Sequence, residues 1–405
     1  MYKQSCILFL YAESPLHPGS DSGVGAIDLP VQREVGSGLP VFHGSGIKGA
    51  LKDAARERAG INAEYRKLAD LEAERDALGR AGDDDAREER RVWLTSEIHA
   101  ARKDIATRLK TSGIDAVFGP ETQGGDHAGA ISVQEGRVLL FPVRSLAGTF
   151  AWVTSPLALG RLRRDLTGLD GQPEWEIPTP EHDQALVPPA SDVRLGEDGD
   201  AERHIVLDEF TFTATEDAGL AEIAHWLAKH ALPSDASYSY WRERLCRTPG
   251  GHESSPSACA SSNLVLLPDD DFRDFCRFAT EIQSRNKINP ATKTVKGTGL
   301  WTEEHLPAET VLYTKVLAAD PRMPRASSAE DNIDAKLTDA ARVLAELTGF
   351  SGTLVQMGGD ATVGRGLVRL RAFPDAAGGQ AGGDDSTEGQ AQASDGQPGG
   401  DGDGE

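Results

Sequence analysis

Between Leu16 and Lys52 the chain reads LHPGSDSGVGAIDLPVQREVGSGLPVFHGSGIKGALK. His17 and Asp28 are groups that can move a proton or hold a metal ion. The cluster Gly44-Ser45-Gly46 runs into a helix expected from near Ile47 to Ala59, with Leu51 and Ala55 spaced for one face. A glycine-rich turn at a helix start exposes backbone N–H groups that hold phosphate, and Lys48 adds a charge beside it. The residue types suit chemistry on a phosphate backbone.

The same glycines fit G-x-G-x-x-G (Gly44, Gly46, Gly49), the pattern of a dinucleotide site. The acid such a site needs about 20 residues on falls in a charged helical stretch, not at the end of a second strand. The glycine spacing of a Walker loop is missing as well. A second cluster, Gly358-Gly359-Asp-Ala-Thr-Val-Gly364-Arg365-Gly366, reads either as a hairpin turn or as another phosphate-facing loop. Arg285 to Trp301 carries Arg285, Lys287, Lys293 and Lys296 and no acid, broken by Asn-Pro and Gly-Thr-Gly. That pattern predicts a basic hairpin suited to RNA. Taken singly, Asp28 reads most simply as a turn cap or a solvated strand residue, and His17 as a structural histidine.

The elements that must position these groups are mixed. Ser5–Ala12 reads as a buried first strand, Pro40–Phe42 as a short extended piece, and 128–153 as strands with a hairpin signal at Glu135-Gly136. Residues 61–112 are rich in Ala, Glu, Arg and Leu at helical spacing, interrupted by GRAGDDD, and predict a helical hairpin inserted into the domain. His204–Phe212 and Thr310–Leu317 read as strands; Ala218–Ala231, Asp269–Ser284 and Asp331–Leu347 read as helices. Strands and helices without steady βαβ repetition predict an α+β class. Residues 1–373 would form one domain, and 374–405 a disordered Gly/Asp/Gln-rich tail.

The net charge of −22 argues against binding nucleic acid by overall attraction. Eight of the acids follow Pro374, which leaves −14 for the rest, so an RNA site must be a local basic surface. The four cysteines show no paired spacing, which predicts free thiols and a reducing cytoplasm. Cys246, His252 and Cys259 lack the C-x-x-C anchor of a zinc site. The apolar run Cys6–Ala12 meets Glu13 at once and is too short for an export signal or a membrane span.

The block from Leu10 to Asp53 closely resembles the backbone subunit of type III-B CRISPR effectors, the Cmr complex. The resemblance continues at VFGPET, AGAISV, LLFPVRSLAGTFAWVTSP, RNKINPATKTV, LWTEEHLPAETVLY and QMGGDATVGRGLV. It implies the RAMP superfamily and a ferredoxin-like, RNA-recognition-type core with a thumb hairpin at about 285–301. It implies a subunit that lines up in copies along a crRNA, joins other Cmr subunits, and cuts the paired target RNA at regular intervals with Mg²⁺ or Mn²⁺. Asp28 then corresponds to the essential acid, as metal ligand or general base, with His17 assisting and Glu309 and Tyr313 facing the cleavage site. Gly44, Ser45, Gly46, Lys48, Lys52, Arg285, Lys287, Lys293, Gly358, Gly359, Gly364, Arg365 and Gly366 would lie near RNA. The alternatives are a non-cleaving crRNA scaffold of the same kind and, on the glycine pattern alone, a nucleotide-dependent metabolic enzyme.

Overall fold

The computed structural model describes residues 2–20, 27–78, 85–120, 127–196, 203–248, 259–322 and 337–374. In chain order the first half holds β1 (Gln4–Ala12), β2 (Val41–Phe42), α1 (Gly44–Arg58), α2 (Ile61–Leu78), α3 (Asp85–Thr111), α4 (Ile114–Phe118), β3 (Ile131–Val133), β4 (Gly136–Arg144), β5 (Phe150–Thr154), α5 (Pro156–Leu166) and β6 (Gln184–Val187). The second half holds β7 (His204–Leu207), β8 (Phe210–Glu216), α6 (Ala218–His230), α7 (Ser239–Leu245), β9 (Leu264–Leu266), α8 (Asp269–Phe278), β10 (Glu281–Ile288), β11 (Val295–His305), β12 (Val311–Ala318), α9 (Ala340–Thr348), β13 (Leu354–Gln356) and β14 (Leu367–Phe373).

β1 organises the centre. It pairs antiparallel with β12 on one side and β14 on the other, and β12 pairs with β4. The local order β14-β1-β12-β4, with α1 following β1 and α9 preceding β14, is the ferredoxin-like arrangement. Side chains alternate across a strand. Cys6, Leu8, Leu10 and Ala12 enter one core with Ile47 and Leu51 of α1 and Val343 of α9, while Ile7, Phe9 and Tyr11 enter a second with Trp152, Leu159 and Trp226. A strand buried on both faces needs an unbroken apolar run, which CILFLYA supplies. The sheet extends through β5, β9, β6, β8 and β7, with parallel pairs at β5–β9 and β6–β8. The mixed sheet fits the α+β expectation.

The inserted hairpin is α2 packed along α3, with Ile61, Ile105 and Leu109 reaching the first core. Residues 79–84 of its interruption lie outside the described residues, as does the tail after Pro374. Asp217 and Asp339 cap α6 and α9 through the N–H groups of Leu220 and Arg342.

Five expectations need correction. His204–Phe212 is not one strand but the hairpin of β7 and β8, and among the described residues the helix expected over Asp331–Leu347 starts only at Ala340. The helix expected over Asp269–Ser284 stops at Phe278, because 281–288 is already the first strand of the basic hairpin. That hairpin is longer than 285–301: β10 and β11 run from Glu281 to His305 as a separate two-stranded sheet. Cys246 and Cys259 are not free thiols but form a disulfide, with Cα atoms 5.5 Å apart. Backbone pairing of Arg247 with Ser261 brings the two together, which spacing alone does not disclose. His252, the third group of the rejected zinc reading, lies outside the described residues.

Candidate functional site at the hairpin root

The end of β11, Trp301 to His305, is where the chemistry-bearing residues collect. Pro30 holds Leu29 extended, so the segment at Asp28 can lie beside β11 as a short strand would. Leu29 N–H donates to Thr302 O (3.0 Å) and Glu304 N–H to Leu29 O (3.0 Å). Among the described residues the exposed Asp28 carboxylate is clamped by Thr302: Oδ2 accepts from the Thr302 N–H (2.8 Å) and hydroxyl (3.0 Å). Asp28 N–H in turn donates to Thr302 Oγ1 at 3.0 Å. Both bonds fall on one oxygen, and Oδ1 has no protein partner among the described residues.

His17 reaches the same edge of the strand one step further along. Leu16 and Leu306 exchange backbone hydrogen bonds at 2.9 and 2.8 Å, and the buried His17 ring places Nδ1 2.6 Å from Glu304 O. A carbonyl can only accept, so Nδ1 carries the proton and Nε2 is left as the basic nitrogen. The second glycine cluster seats against this histidine. Gly359 N–H donates to His17 O (3.0 Å), and a Cβ at Gly358, whose φ is +79°, would lie 2.5 Å from that oxygen. The close approach explains the Gly-Gly pair without RNA.

Residues not singled out from the sequence complete the site. Glu303, His305 and Asp360 bring ligand atoms within 4.8 Å of one another. His305 Nε2 is 3.3 Å from Asp360 Oδ2, and the His17 and His305 ring centroids are 5.3 Å apart. Burial pushes His305 down from its ordinary value, with Asp360 opposing, so the imidazole is neutral at neutral pH. Burial alone would raise Asp360, but hydrogen bonds with His305 and Glu303 and the Arg285 charge hold it below the usual carboxylate range. Two carboxylates and a neutral imidazole are a donor set that could hold a divalent ion. Arg285 already lies across it, with Nε 2.7 Å from Glu303 Oε2 and a second nitrogen 3.6 Å from Asp360 Oδ2. A metal at this cluster would compete with the guanidinium.

Several expected RNA contacts are engaged inside the protein. Arg285 faces the two acids, and Arg365 reaches Glu281 (3.3 Å) and Gln283 (3.0 Å) of β10, tying the glycine-rich turn to the hairpin. At the start of α1 the Gly44 N–H donates to Glu135 Oε2 (3.1 Å), so a carboxylate sits where a phosphate was expected. A Cβ on Gly44 would lie 2.3 Å from Val133 O, which makes this glycine a packing requirement. Lys48 and Lys52 donate to Ile131 O (3.4 Å) and Gly119 O (2.7 Å). Burial and their cationic neighbours lower both ammonium groups, with Asp115 opposing at Lys52. Ser45, Gly46, Lys287 and Lys293 are exposed. Gly364 and Gly366 take φ of +78° and +74°, which shapes the second turn.

Glu309 lies just before β12 and Tyr313 within it. Tyr313 is fully buried opposite Phe9 and Arg137, and its hydroxyl donates to Asp165 Oδ2 at 3.2 Å. Glu309 has φ +71°, Oε2 has no partner among the described residues, and burial pushes its carboxyl up to about 7. The structure joins His17 and Asp28 through β11 and seats Tyr313 in the core instead.

A family model described as the RAMP superfamily matches residues 9–369. The chain belongs to the RAMP superfamily. It is 29% identical over 364 residues to the CRISPR system Cmr endoribonuclease Cmr4 of Pyrococcus furiosus, covering 89% of this chain and 93% of that protein. The crystal structure of oligomeric Cmr4 from Pyrococcus furiosus aligns with a TM-score of 0.53 at 25% identity, over 91% of this chain and 97% of that one. A chain of the type III-B Cmr-beta complex bound to cognate target RNA shares the fold at a TM-score of 0.50 and 18% identity, over 92% of this chain and 98% of that one. The RAMP-type α+β fold with a helical insertion is thereby established. Among the described residues no helix is long and apolar enough to cross a membrane.

Proposed function

We propose that this chain is a crRNA-binding backbone subunit of a type III-B Cmr effector, which lines up in copies along the guide with other Cmr subunits. In that assembly it cleaves complementary target RNA at regular intervals, in a divalent-metal-dependent reaction centred on Asp28. One observation carries the catalytic part: an exposed carboxylate with one oxygen open, clamped to the root of a basic hairpin whose strand also holds His17. Homology to Cmr4 supports the assembly.

The chemistry asks little of the protein. RNA carries its own nucleophile, the 2′-OH, so a nucleotide splayed into in-line geometry needs chiefly orientation and proton transfer. Asp28 takes the 2′-OH proton or holds the metal through Oδ1, and His17 Nε2 is the second group able to accept or return a proton. Bound Mg²⁺ or Mn²⁺ supplies charge stabilisation at the phosphate. Lys287 and Lys293 on the hairpin hold the backbone as point charges. The exposed Ser45 and Gly46, with Lys48 and Lys52 behind them, form the proposed guide-facing end of α1.

The test is the assembled complex with a guide, an end-labelled complementary target, and Mg²⁺ or Mn²⁺. Regularly spaced products that vanish in Asp28→Ala, with target still bound, support the nuclease. Binding without cuts in the wild-type complex leaves the non-cleaving scaffold, a reading that Arg285's hold on the acidic cluster favours. Cuts that survive Asp28→Ala move the catalytic group elsewhere.

A further inference from the structure

The Gln-Arg-Glu triplet after Asp28 and the second glutamate of Thr-Glu-Glu-His meet in the interior. Glu304 is 2% exposed, yet its carboxylate is fully used. It accepts from the Val31 N–H (2.9 Å), the Arg33 guanidinium (2.5 Å) and the Thr280 hydroxyl (3.0 Å). Arg33 also donates to Gly38 O (3.2 Å) and Cys276 O (3.1 Å), so the segment after Asp28 is tied to the end of α8. The main chain of Glu304 meets Leu29 O through its N–H and His17 Nδ1 through its carbonyl. A single residue therefore contacts Leu29, Val31, Arg33 and His17.

We infer that Glu304 is the positioning residue of the site: with Arg33 it sets where Asp28 and His17 stand, without itself reaching RNA. A buried ion pair is a poor way to gain stability, since desolvation consumes most of its attraction. What it supplies is one register. Among the described residues the Asp28 side chain has only the Thr302 clamp, and an extended segment free to slip by one residue would turn that side chain to the opposite face. The Val31 N–H and the Arg33 fork fix that register from three and five residues downstream. Displacement on the order of 1 Å in such a group costs about 100-fold in rate.

This inference rests on the reading of Asp28 as the catalytic acid, and the experiment separates the two. Single-turnover cleavage of a guide-matched, end-labelled target is followed in the full complex for wild type, Asp28→Ala, Glu304→Gln and Thr280→Val. Glu304→Gln keeps the shape and an acceptor but loses the charge that faces Arg33. Its rate constant is expected to fall roughly 10- to 100-fold, with target affinity within about twofold of wild type and the same product lengths. Thr280→Val removes one neutral donor and should slow cleavage about two- to fivefold. A residue needed only for folding would lower the fraction of target cut and leave the rate constant alone; that result overturns the inference, as does a wild-type rate in Glu304→Gln. Should Glu304→Gln fail to assemble, Thr280→Val decides, slower cleavage supporting and an unchanged rate overturning. Cleavage retained in Asp28→Ala instead removes the reading beneath it.

Discussion

The root and the tip of the β10–β11 hairpin carry the same kind of cation in opposite circumstances. At the root, Arg285 and Arg365 are one-fifth exposed and each meets an acid: Arg285 meets Glu303 and Asp360, and Arg365 meets Glu281. Towards the tip, Lys287, Lys293 and Lys296 are exposed, and the stretch from Arg285 to Trp301 holds no acid. Arginine's planar fork suits fixed, partly buried pairing, whereas lysine's flexible ammonium suits a mobile polyanion. The root is thus built to hold geometry and the tip to meet charge. In a chain with a net charge of −22, that division would give RNA a small local surface in the proposed complex while the body repels it.

If the division is right, changes at the root should alter rate and stability, and changes at the tip should alter affinity and its salt dependence. The largest effect belongs to Asp28, held at the root by Thr302. Asp28→Asn keeps the clamp geometry but removes the base and the charge. It should lower the cleavage rate by roughly 10²- to 10⁴-fold with target binding intact, read by single-turnover gels beside filter binding. Next is Arg285→Met, which leaves Glu303 and Asp360 facing each other without their cation. It should destabilise the protein by about 2 kcal/mol in denaturant unfolding, less than the roughly 3–5 kcal/mol of a fully buried pair because Arg285 keeps some solvent contact. The vacated cluster should also gain divalent binding: Mn²⁺ should raise the melting temperature of this variant and not of wild type. Equal Mn²⁺ response in both proteins would show that the guanidinium does not block the cluster.

The core of the fold was legible where burial leaves a pattern. CILFLYA declared a two-faced central strand, and Ile47, Leu51 and Ala55 declared the buried face of α1. The site was legible only in part. His17 and Asp28 stand out by type within a short block, and they do converge on one strand. Glu303, Glu304 and His305 do not stand out, because T-E-E-H carries no spacing signal of its own and follows directly on the basic run. Their meaning comes from Arg33, Asp28 and His17, more than 270 residues earlier, and from Arg285 across the hairpin. Arg285 shows the same limit: its type suggests RNA, and in the fold it lies opposite Trp301, two residues from Glu303, whose carboxylate it meets. Gly44 and Gly358 looked like phosphate cradles, and backbone packing against Val133 and His17 accounts for both.

At the tip, replacing Lys287, Lys293 and Lys296 together by Ala should weaken target or guide binding about tenfold at low salt. The slope of log K against log salt should shrink by about 2, as expected for three lost phosphate contacts on a single strand. Cleavage of the bound target should keep its rate. A rate loss as large as the affinity loss would mean that the tip also holds geometry, which breaks the comparison.

The smallest effect tests the rule from outside the hairpin. Glu309 is a half-buried acid, where Glu303 is buried; no cation stands beside it among the described residues, and desolvation alone pushes its carboxyl up to about 7 from 4.5. The folded protein therefore binds a proton at Glu309 more tightly than the unfolded chain does. Its contribution is fully present below about pH 4.5 and is lost as pH rises to about 7, since stability falls with pH wherever the native state holds more protons. Glu309→Gln mimics the protonated form and should escape that loss. At pH 8 it should melt roughly 2 °C above wild type by scanning calorimetry, and the difference should narrow by pH 5. A destabilised variant at pH 8 would mean that the Glu309 anion is held by a compensating partner, as Arg285 holds Glu303.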